Sequence, residues 1–360
     1  MSKSNNEIPA LIAALGLTAV IVGGAVWWLN DSGIIGGGIS GGGNASSQPT
    51  NTATETATDG EPENASARNV ETTGGSFKAV SVPSGRFTYG GSTSWAPIRG
   101  VADPVIQAAF PNFKLLYQDA TGTSDGIQKL LAGELDFAQS SRPLSSAEKQ
   151  QAQAQGVVLE EVAIAMEGVA IATHPGISIP GLTLAQLKDI YTGQITNWSQ
   201  VGGPNVAIVL ASRGQEGGTV QFFQETVLQG QNFASNMTQL GSTTEALRFV
   251  SSNPGAIYFA SAPEVVGQCS VAPLPIGNDV RQLVPPYQQP YVAPADCPTR
   301  RNQLNLVAFQ SQTYPLTRPI YVVIRKDGQP AEQAGLAYSE LLKTAEGGKL
   351  LQQAGFVPMP

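Results

Sequence analysis

Histidine is almost absent from this chain: His174 is the single one among 360 residues. That excludes a metal site built on several histidines. A Ser-His-Asp hydrolase would have to use a histidine that Pro175 follows directly, a poor arrangement. Cysteine occurs twice, at Cys269 and Cys297, too few for a Cys-based zinc or iron–sulfur site. Charge is scarce: Asp, Glu, Lys and Arg make up 13% of residues, about half the usual share, so much of the surface is neutral and polar. Positive charge is in deficit, with 20 Lys and Arg against 27 Asp and Glu and a net charge of −7. Nucleic acid demands a basic footprint, and this chain has none.

What is present begins with an apolar run. Residues 8–29 carry no charged side chain, a length sufficient to span a bilayer. Lys3 is the positive flank, and Trp27 and Trp28 sit where an interfacial aromatic belt would lie. The exit reads Trp27, Trp28, Leu29, Asn30, bulky where a cleaved signal peptide has small residues. The sequence therefore predicts an uncleaved anchor over 1–29 with the remainder outside the cytoplasm; secretion after signal cleavage is the alternative. Residues 30–76 follow as a Gly, Ser, Thr and Asn tract with six acidic residues against Arg68 alone. Such a segment cannot bury enough surface to fold and reads as a disordered linker reaching roughly 35–40 Å r.m.s.. The remaining chain is close to neutral, so any anion selectivity must come from local groups rather than the overall field.

Beyond residue 76 the pattern alternates. Short apolar or β-branched runs at 86–89, 114–117, 135–138, 162–173, 206–210, 256–259 and 320–325 predict strands. Ser145 with Glu148, and Thr183 with Gln186, match capping boxes. Segments 127–131 and 220–227 are apolar-periodic, and 331–351 predicts one or two amphipathic closing helices. Strand–helix alternation indicates α/β layering. Outside the cytoplasm, Cys269 and Cys297 are expected to form one disulfide across an irregular Pro-rich segment, the other reading being two buried free thiols.

Four stretches place small hydroxyl residues and glycines between a strand and the next helix: 91–94, 122–126, 140–142 and 213–219. Helix N-termini leave backbone N–H groups free and carry partial positive charge, so they hold anions without lysine. Glycine allows close backbone approach, and Ser or Thr adds an O–H donor. One such loop is an ordinary N-cap. Four, with Arg142 and Arg213 among them, point to a tetrahedral oxyanion site. The 213–219 loop lacks the Lys and spacing of a nucleotide P-loop.

Here the residues carry a resemblance. Asp189, Ile190, Tyr191, Gly193, Ile195 and Trp198 resemble the D-I-Y-x-G-x-I-x-x-W run of the phosphate-binding periplasmic receptors, the substrate-binding components of phosphate ABC importers. Asp136 to Ser140, Pro254 to Tyr258, Tyr314 to Pro319 and Gly355 to Pro358 match in the same order, so the likeness runs from about 89 to 358. It implies a two-lobed periplasmic-binding-protein fold of type II with a ligand cleft between the lobes. Lobe 1 would be 77–168 with 319–360 and lobe 2 would be 169–318, with crossovers near 169–173 and 319–323. It also implies a monomeric, non-enzymatic receptor without cofactor, on the periplasmic side of the cytoplasmic membrane. That receptor binds inorganic phosphate and passes it to an ABC permease. By the same resemblance the ligand set is Thr93 and Ser94, Thr123 and Ser124, Ser140 and Ser141 with Arg142, and Arg213 with Gly217, Gly218 and Thr219.

Two positions depart from the family pattern. Many members have Asp where this chain has Ser141, a carboxylate that accepts the P–OH proton and repels sulfate. Gly217 stands where Ser is frequent. The loss at Ser141 leaves phosphate-versus-sulfate selectivity to another acceptor, with Asp125 and Glu216 as candidates. The alternatives are a receptor for another tetrahedral oxyanion such as sulfate, or a phosphatase built on the same pocket. Several residues carry bland readings beside these: Arg142 as an ion-pair residue, Asp125 and Glu216 as solvated acids of a first helical turn, and Tyr191 and Trp198 as lobe core. His174 reads as an exposed turn residue, and Trp95 either lines the cleft mouth or packs beneath it.

Overall fold

The structure, a computed structural model, describes residues 75–119, 122–297 and 299–359. The predicted anchor, and the predicted linker up to residue 74, lie outside the described residues. Among the described residues no helix is long and apolar enough to cross a membrane.

The chain enters through a short 3-10 turn, Phe77–Ala79, and then alternates as expected: β1 (Gly85–Gly91), α1 (Ala96–Ala109), β2 (Phe113–Tyr117), α2 (Thr123–Ala132), β3 (Phe137–Ser140), α3 (Ser146–Ala154). Strands β1 and β2 pair in parallel, as do β1 and β3. A 15-residue strand, β4 (Leu159–Thr173), leads into β5 (Leu182–Thr183), α4 (Leu184–Tyr191), β6 (Val209–Ser212), α5 (Gly218–Thr226), β7 (Thr238–Gln239), α6 (Thr243–Ser252), β8 (Ala256–Ser261) and α7 (Ala262–Val265). After β9 (Ala272–Leu274) and β10 (Ile276–Gly277) comes an irregular segment ending in α8 (Leu306–Gln310). The chain returns through β11 (Thr317–Arg325) to α9 (Pro330–Lys343), α10 (Ala345–Gln353) and β12 (Val357–Pro358). The main sheet runs in the order β2-β1-β3-β11-β4-β8-β6-β7.

Two large hydrophobic cores, one per lobe, make the protein two-lobed, with a smaller cluster around Ile127, Leu130 and Val323 beside the first. One gathers Phe87, Ile98, Phe113, Phe137, Ile164, Ile320, Tyr338 and Leu351. The other gathers Val169, Ile171, Tyr191, Trp198, Phe223, Ile257, Phe259 and Tyr314. The long strand β4 serves both: its residues up to Gly168 pair with β11, and Val169 onward pair with β8. The exchange of partners falls at Gly168–Val169, opposite Thr317, one step ahead of the crossovers expected at 169–173 and 319–323. The reason is burial: Val169, Ala170, Ile171, Ala172 and Thr173 are all fully inside the second core.

Local signals explain most elements. Both capping boxes form, with Ser145 and Glu148 starting α3 and Thr183 and Gln186 starting α4. The closing segment is two helices because the Thr344 side chain caps the start of α10. Cys269 and Cys297 are disulfide-bonded, with Cα atoms 5.6 Å apart. Chain-entropy arguments assign such a loop about 3–4 kcal/mol.

Candidate functional site

The expected loops lie at the ends of β1, β3 and β6 and before the N-termini of helices, on the edges where the two lobes meet. Strand β1 ends at Gly91, whose φ of +124° suits glycine, and a Cβ there would overlap the Gln139 carbonyl oxygen. The Ser92 side chain accepts from the Ser94 N–H and donates to Ser141 Oγ at 2.9 Å. Thr123 opens α2 fully buried; its Oγ1 accepts the Ser141 N–H at 3.2 Å and lies 3.3 Å from Ser141 Oγ. Across the cleft, Gly217 is the N-cap of α5 and Gly218 its first residue. A Cβ on Gly218 would overlap the hydroxyl oxygens of Ser141 and Thr123. The N-terminus of α5 therefore abuts the loops after β1 and β3 by virtue of having no side chain there. Ser94 Oγ and Thr219 Oγ1 meet at 3.1 Å.

Arg318 at the start of β11 ties these loops together. It is 2% exposed. Its Nε donates to Glu167 Oε1 at 2.8 Å and its Nη2 lies 2.6 Å from the same oxygen. Nη2 also reaches Thr219 Oγ1 at 2.7 Å and Ser94 Oγ at 3.1 Å, while Nη1 donates to the Gly218 carbonyl at 2.9 Å. Glu167, itself fully buried in β4, accepts a further hydrogen bond from the Ser261 hydroxyl. Neither charge is left unpaired, which is the condition for burying them.

Beside this hub opens a cavity of about 330 Å³. Its lobe 1 wall is Ser92, Thr93, Ser94 and Gly122. Its other walls are the Arg213 to Thr219 loop, the 239–241 turn, Thr243 at the start of α6, Tyr258 to Ser261 on β8, and Glu264 on α7. Arg213 is partly buried in this wall, and its Nε has no hydrogen-bond partner. Glu264 is held up to about 7, chiefly by burial and then by the charge of Glu167; Thr243, Arg213 and Arg318 pull the other way. Burial pushes the neighbouring Tyr258 up to about 12.

Of the residues expected in the site, Thr93, Ser94, Arg213, Gly217, Gly218 and Thr219 line the cavity. Thr123 and Ser141 lie directly behind Gly218, hydrogen-bonded to each other, with Ser141 also bonded to Ser92. Ser140, Ser124 and Arg142 are not brought to its wall. Ser140 Oγ turns back onto the Arg142 backbone, donating to its carbonyl at 2.6 Å. Arg142 makes a two-pronged pair with Glu148 at 2.7 and 2.8 Å, donates to Ser124 Oγ at 3.0 Å, and reaches Gln221 of α5. It is thus an ion-pair residue that also touches the opposite lobe. Asp125 pairs with Lys129 at 3.1 Å, and Glu216 is on the cavity wall but exposed. Trp95 packs beneath the loops, fully buried, its Nε1 donating to the Ser140 carbonyl at 3.0 Å. Tyr191 and Trp198 are core. His174 is a half-buried turn residue whose Nδ1 accepts from the Gly176 N–H.

Arg318, Glu167, Tyr258 and Glu264 were not expected in the site. Glu167 carried a signal: it is the one acid inside the apolar run 162–173, and a carboxylate there has to find a cation. Arg318 carried the complementary one, standing before Pro319 at the head of an apolar strand. Glu264 has no such mark, because its role depends on which loops fold over it.

Two lobes joined by exchanged strands, with helix N-termini and a partly buried arginine, Arg213, facing a cleft, define an extracytoplasmic-type solute-binding fold. The chain belongs to the PBP superfamily: the model of a PBP superfamily domain matches residues 48–344. Among curated proteins it is 27% identical, over 243 residues, to the phosphate-binding protein PstS of Staphylococcus epidermidis, covering 66% of this chain and 68% of that one. Among solved structures it resembles an ABC-type phosphate transport receptor from Vibrio cholerae, with 25% identity and a TM-score of 0.56 over 76% of this chain and all of that one. The fold is also that of a putative phosphate ABC transporter substrate-binding protein with bound phosphate from Clostridium perfringens, with 24% identity and a TM-score of 0.62, covering 77% and 100%.

Proposed function

We propose that this chain is an extracytoplasmic receptor that captures inorganic phosphate between its lobes and delivers it to an ABC-type permease. One observation carries the reading: hydroxyl-bearing loops of one lobe meet the glycine-led N-terminus of α5 and Arg213 of the other around a single cleft. Free backbone N–H groups at the start of a helix, neutral hydroxyl donors and one guanidinium match the oxygens of a tetrahedral anion. The lobes in this reading are 77–168 with 319–360, and 169–318. The ligand shell is Thr93, Ser94, Arg213, Gly217, Gly218 and Thr219, with Thr123 and Ser141 behind them. Phosphate-binding relatives in the same superfamily support the choice of anion. Anchoring by the N-terminal segment would hold the receptor near its transporter and raise the local concentration of the delivered ligand. The protein works as a monomeric carrier, not a catalyst.

Titration calorimetry of the full-length protein, freed of bound anion, tests this. Phosphate is expected to bind and Arg213→Ala to weaken it by at least a hundredfold, the loss of a charge-assisted contact in a desolvated site. A folded wild-type protein giving no heat with phosphate overturns the reading.

A further inference from the structure

We propose that Glu264 reads the proton on the bound anion, so that discrimination between phosphate and sulfate lies at the α7 end of the cleft, away from Ser141. The inference rests on the phosphate-receptor reading and adds a specificity residue to it.

The geometry leaves few other candidates. A receptor that separates hydrogen phosphate from sulfate needs an acceptor that sulfate cannot satisfy, because sulfate brings no proton. Ser141 can accept a hydrogen bond but does not repel an ionised oxygen. Its hydroxyl is already engaged with Ser92 and Thr123, behind Gly218. Asp125 is paired with Lys129 and Glu216 is exposed to solvent, where a charge is screened. Glu264 is the half-buried carboxylate of the cavity wall, set there together with Arg213 and more enclosed than Glu216.

Its surroundings give it the right balance. Arg213 faces it from the β6–α5 loop, Arg318 from β11, Glu167 from β4, and the Thr243 hydroxyl and Tyr258 phenol from α6 and β8. Glu167 and Arg318 are committed to each other, which leaves Arg213, Glu264 and the solvent-exposed Glu216 as the charged groups of the cavity wall. Burial and the nearby Glu167 charge make the carboxylate hold its proton up to about pH 7. Hydrogen phosphate can then bind with its P–OH donating to ionised Glu264. Sulfate can bind only where Glu264 supplies the hydrogen. Sulfate binding therefore takes up a proton, and phosphate binding, which brings its own, does not.

The test is calorimetry on the full-length protein with phosphate and with sulfate at pH 6, 7, 8 and 8.5, in wild type and in Glu264→Gln. In wild type, sulfate affinity should fall by about tenfold per pH unit above 7, while phosphate affinity should not fall over the same range, because ionised Glu264 is the form that accepts the P–OH hydrogen. Glutamine both donates and accepts without ionising. The variant should therefore lose the sulfate slope and bind sulfate at pH 8 at least about tenfold better than wild type. Phosphate tight and sulfate independent of pH in wild type overturns the Glu264 assignment while the receptor reading stands. The same holds if Glu264→Gln keeps both the wild-type slope and the wild-type ratio of the two anions. No phosphate binding by folded wild-type protein overturns both. The wild-type pH series alone decides the matter if the variant does not fold.

Discussion

At the level of single residues, the organising feature is that Arg318 and Glu167 are buried together where the strands change lobes. Removing one partner leaves the other as an uncompensated charge in a water-excluded setting. Arg318→Met should therefore destabilise the protein by about 3–5 kcal/mol. Adding Glu167→Gln to that variant should restore most of the loss, since the stranded carboxylate is gone. Urea unfolding of the two variants beside wild type checks this; equal stability of the single and double variants would mean the pair is not coupled. The sequence carried half of this site. Arg213, Ser94 and the Gly217 to Thr219 turn were legible because helix N-termini with glycines and hydroxyls advertise their chemistry locally. Glu264 was not legible, because its environment is assembled from β4, β6, α6, β8 and β11, which no sequence spacing reports.

At the level of elements, a polar network inside lobe 1 holds the loop after β1 in place. Asp103 of α1 is buried and accepts from the hydroxyls of Tyr89 on β1 and Tyr338 on α9, the latter at 2.9 Å. Gln139 of β3 donates to the Tyr338 oxygen at 3.2 Å, and Arg99 donates to Gln139 Oε1 at 2.8 Å and to the Ser92 carbonyl at 3.4 Å. Burial raises Asp103 to about 6, against the pull of the two tyrosine hydrogen bonds and Arg99. A carboxyl whose folded value lies above its unfolded one stabilises the fold most below about pH 4, and that contribution disappears as pH rises through 6. The difference amounts to about 3 kcal/mol between pH 4 and 7.5. Asp103→Asn should remove this dependence, so wild type should lose about that much relative to the variant over the same interval in urea titrations. A constant difference between the two would show that the carboxyl does not titrate on folding. The same helix shows why α1 escaped the sequence reading. Gly100 and Pro104 lie within it and read as breakers, yet Ile98, Ala102 and Ile106 are buried on one face and outweigh them. Strand β6 begins at Val209 rather than 206, because its neighbours in the sheet, β7 and β8, fix where pairing starts.

At the scale of the whole molecule, function depends on how closely the lobes approach. The contacts across the cleft include Arg318 to Ser94 and Thr219, Ser94 to Thr219, Gln221 to Arg142 and Ser124, and the bare Cα of Gly218 against Thr123 and Ser141. Most are polar, which suits the opening and closing that the proposed function requires, because polar pairs exchange for water at little net cost. The α/β layering was legible from strand–helix alternation, whereas the two lobes and the neighbourhood of the crossover came only from the resemblance carried by the ordered motifs, since one apolar run feeds both cores. Gly218→Ala isolates closure from chemistry. The added methyl keeps the backbone N–H groups of α5 and every ligand side chain, but it overlaps two hydroxyls across the cleft, so the lobes must part. Phosphate affinity should fall by about a hundredfold, with the unfolding temperature of the anion-free protein within a few degrees of wild type. X-ray scattering should show a larger radius of gyration for the variant at saturating phosphate than for wild type. If the variant instead closes to the same radius with unchanged affinity, the approach of α5 to Thr123 and Ser141 is not what traps the anion.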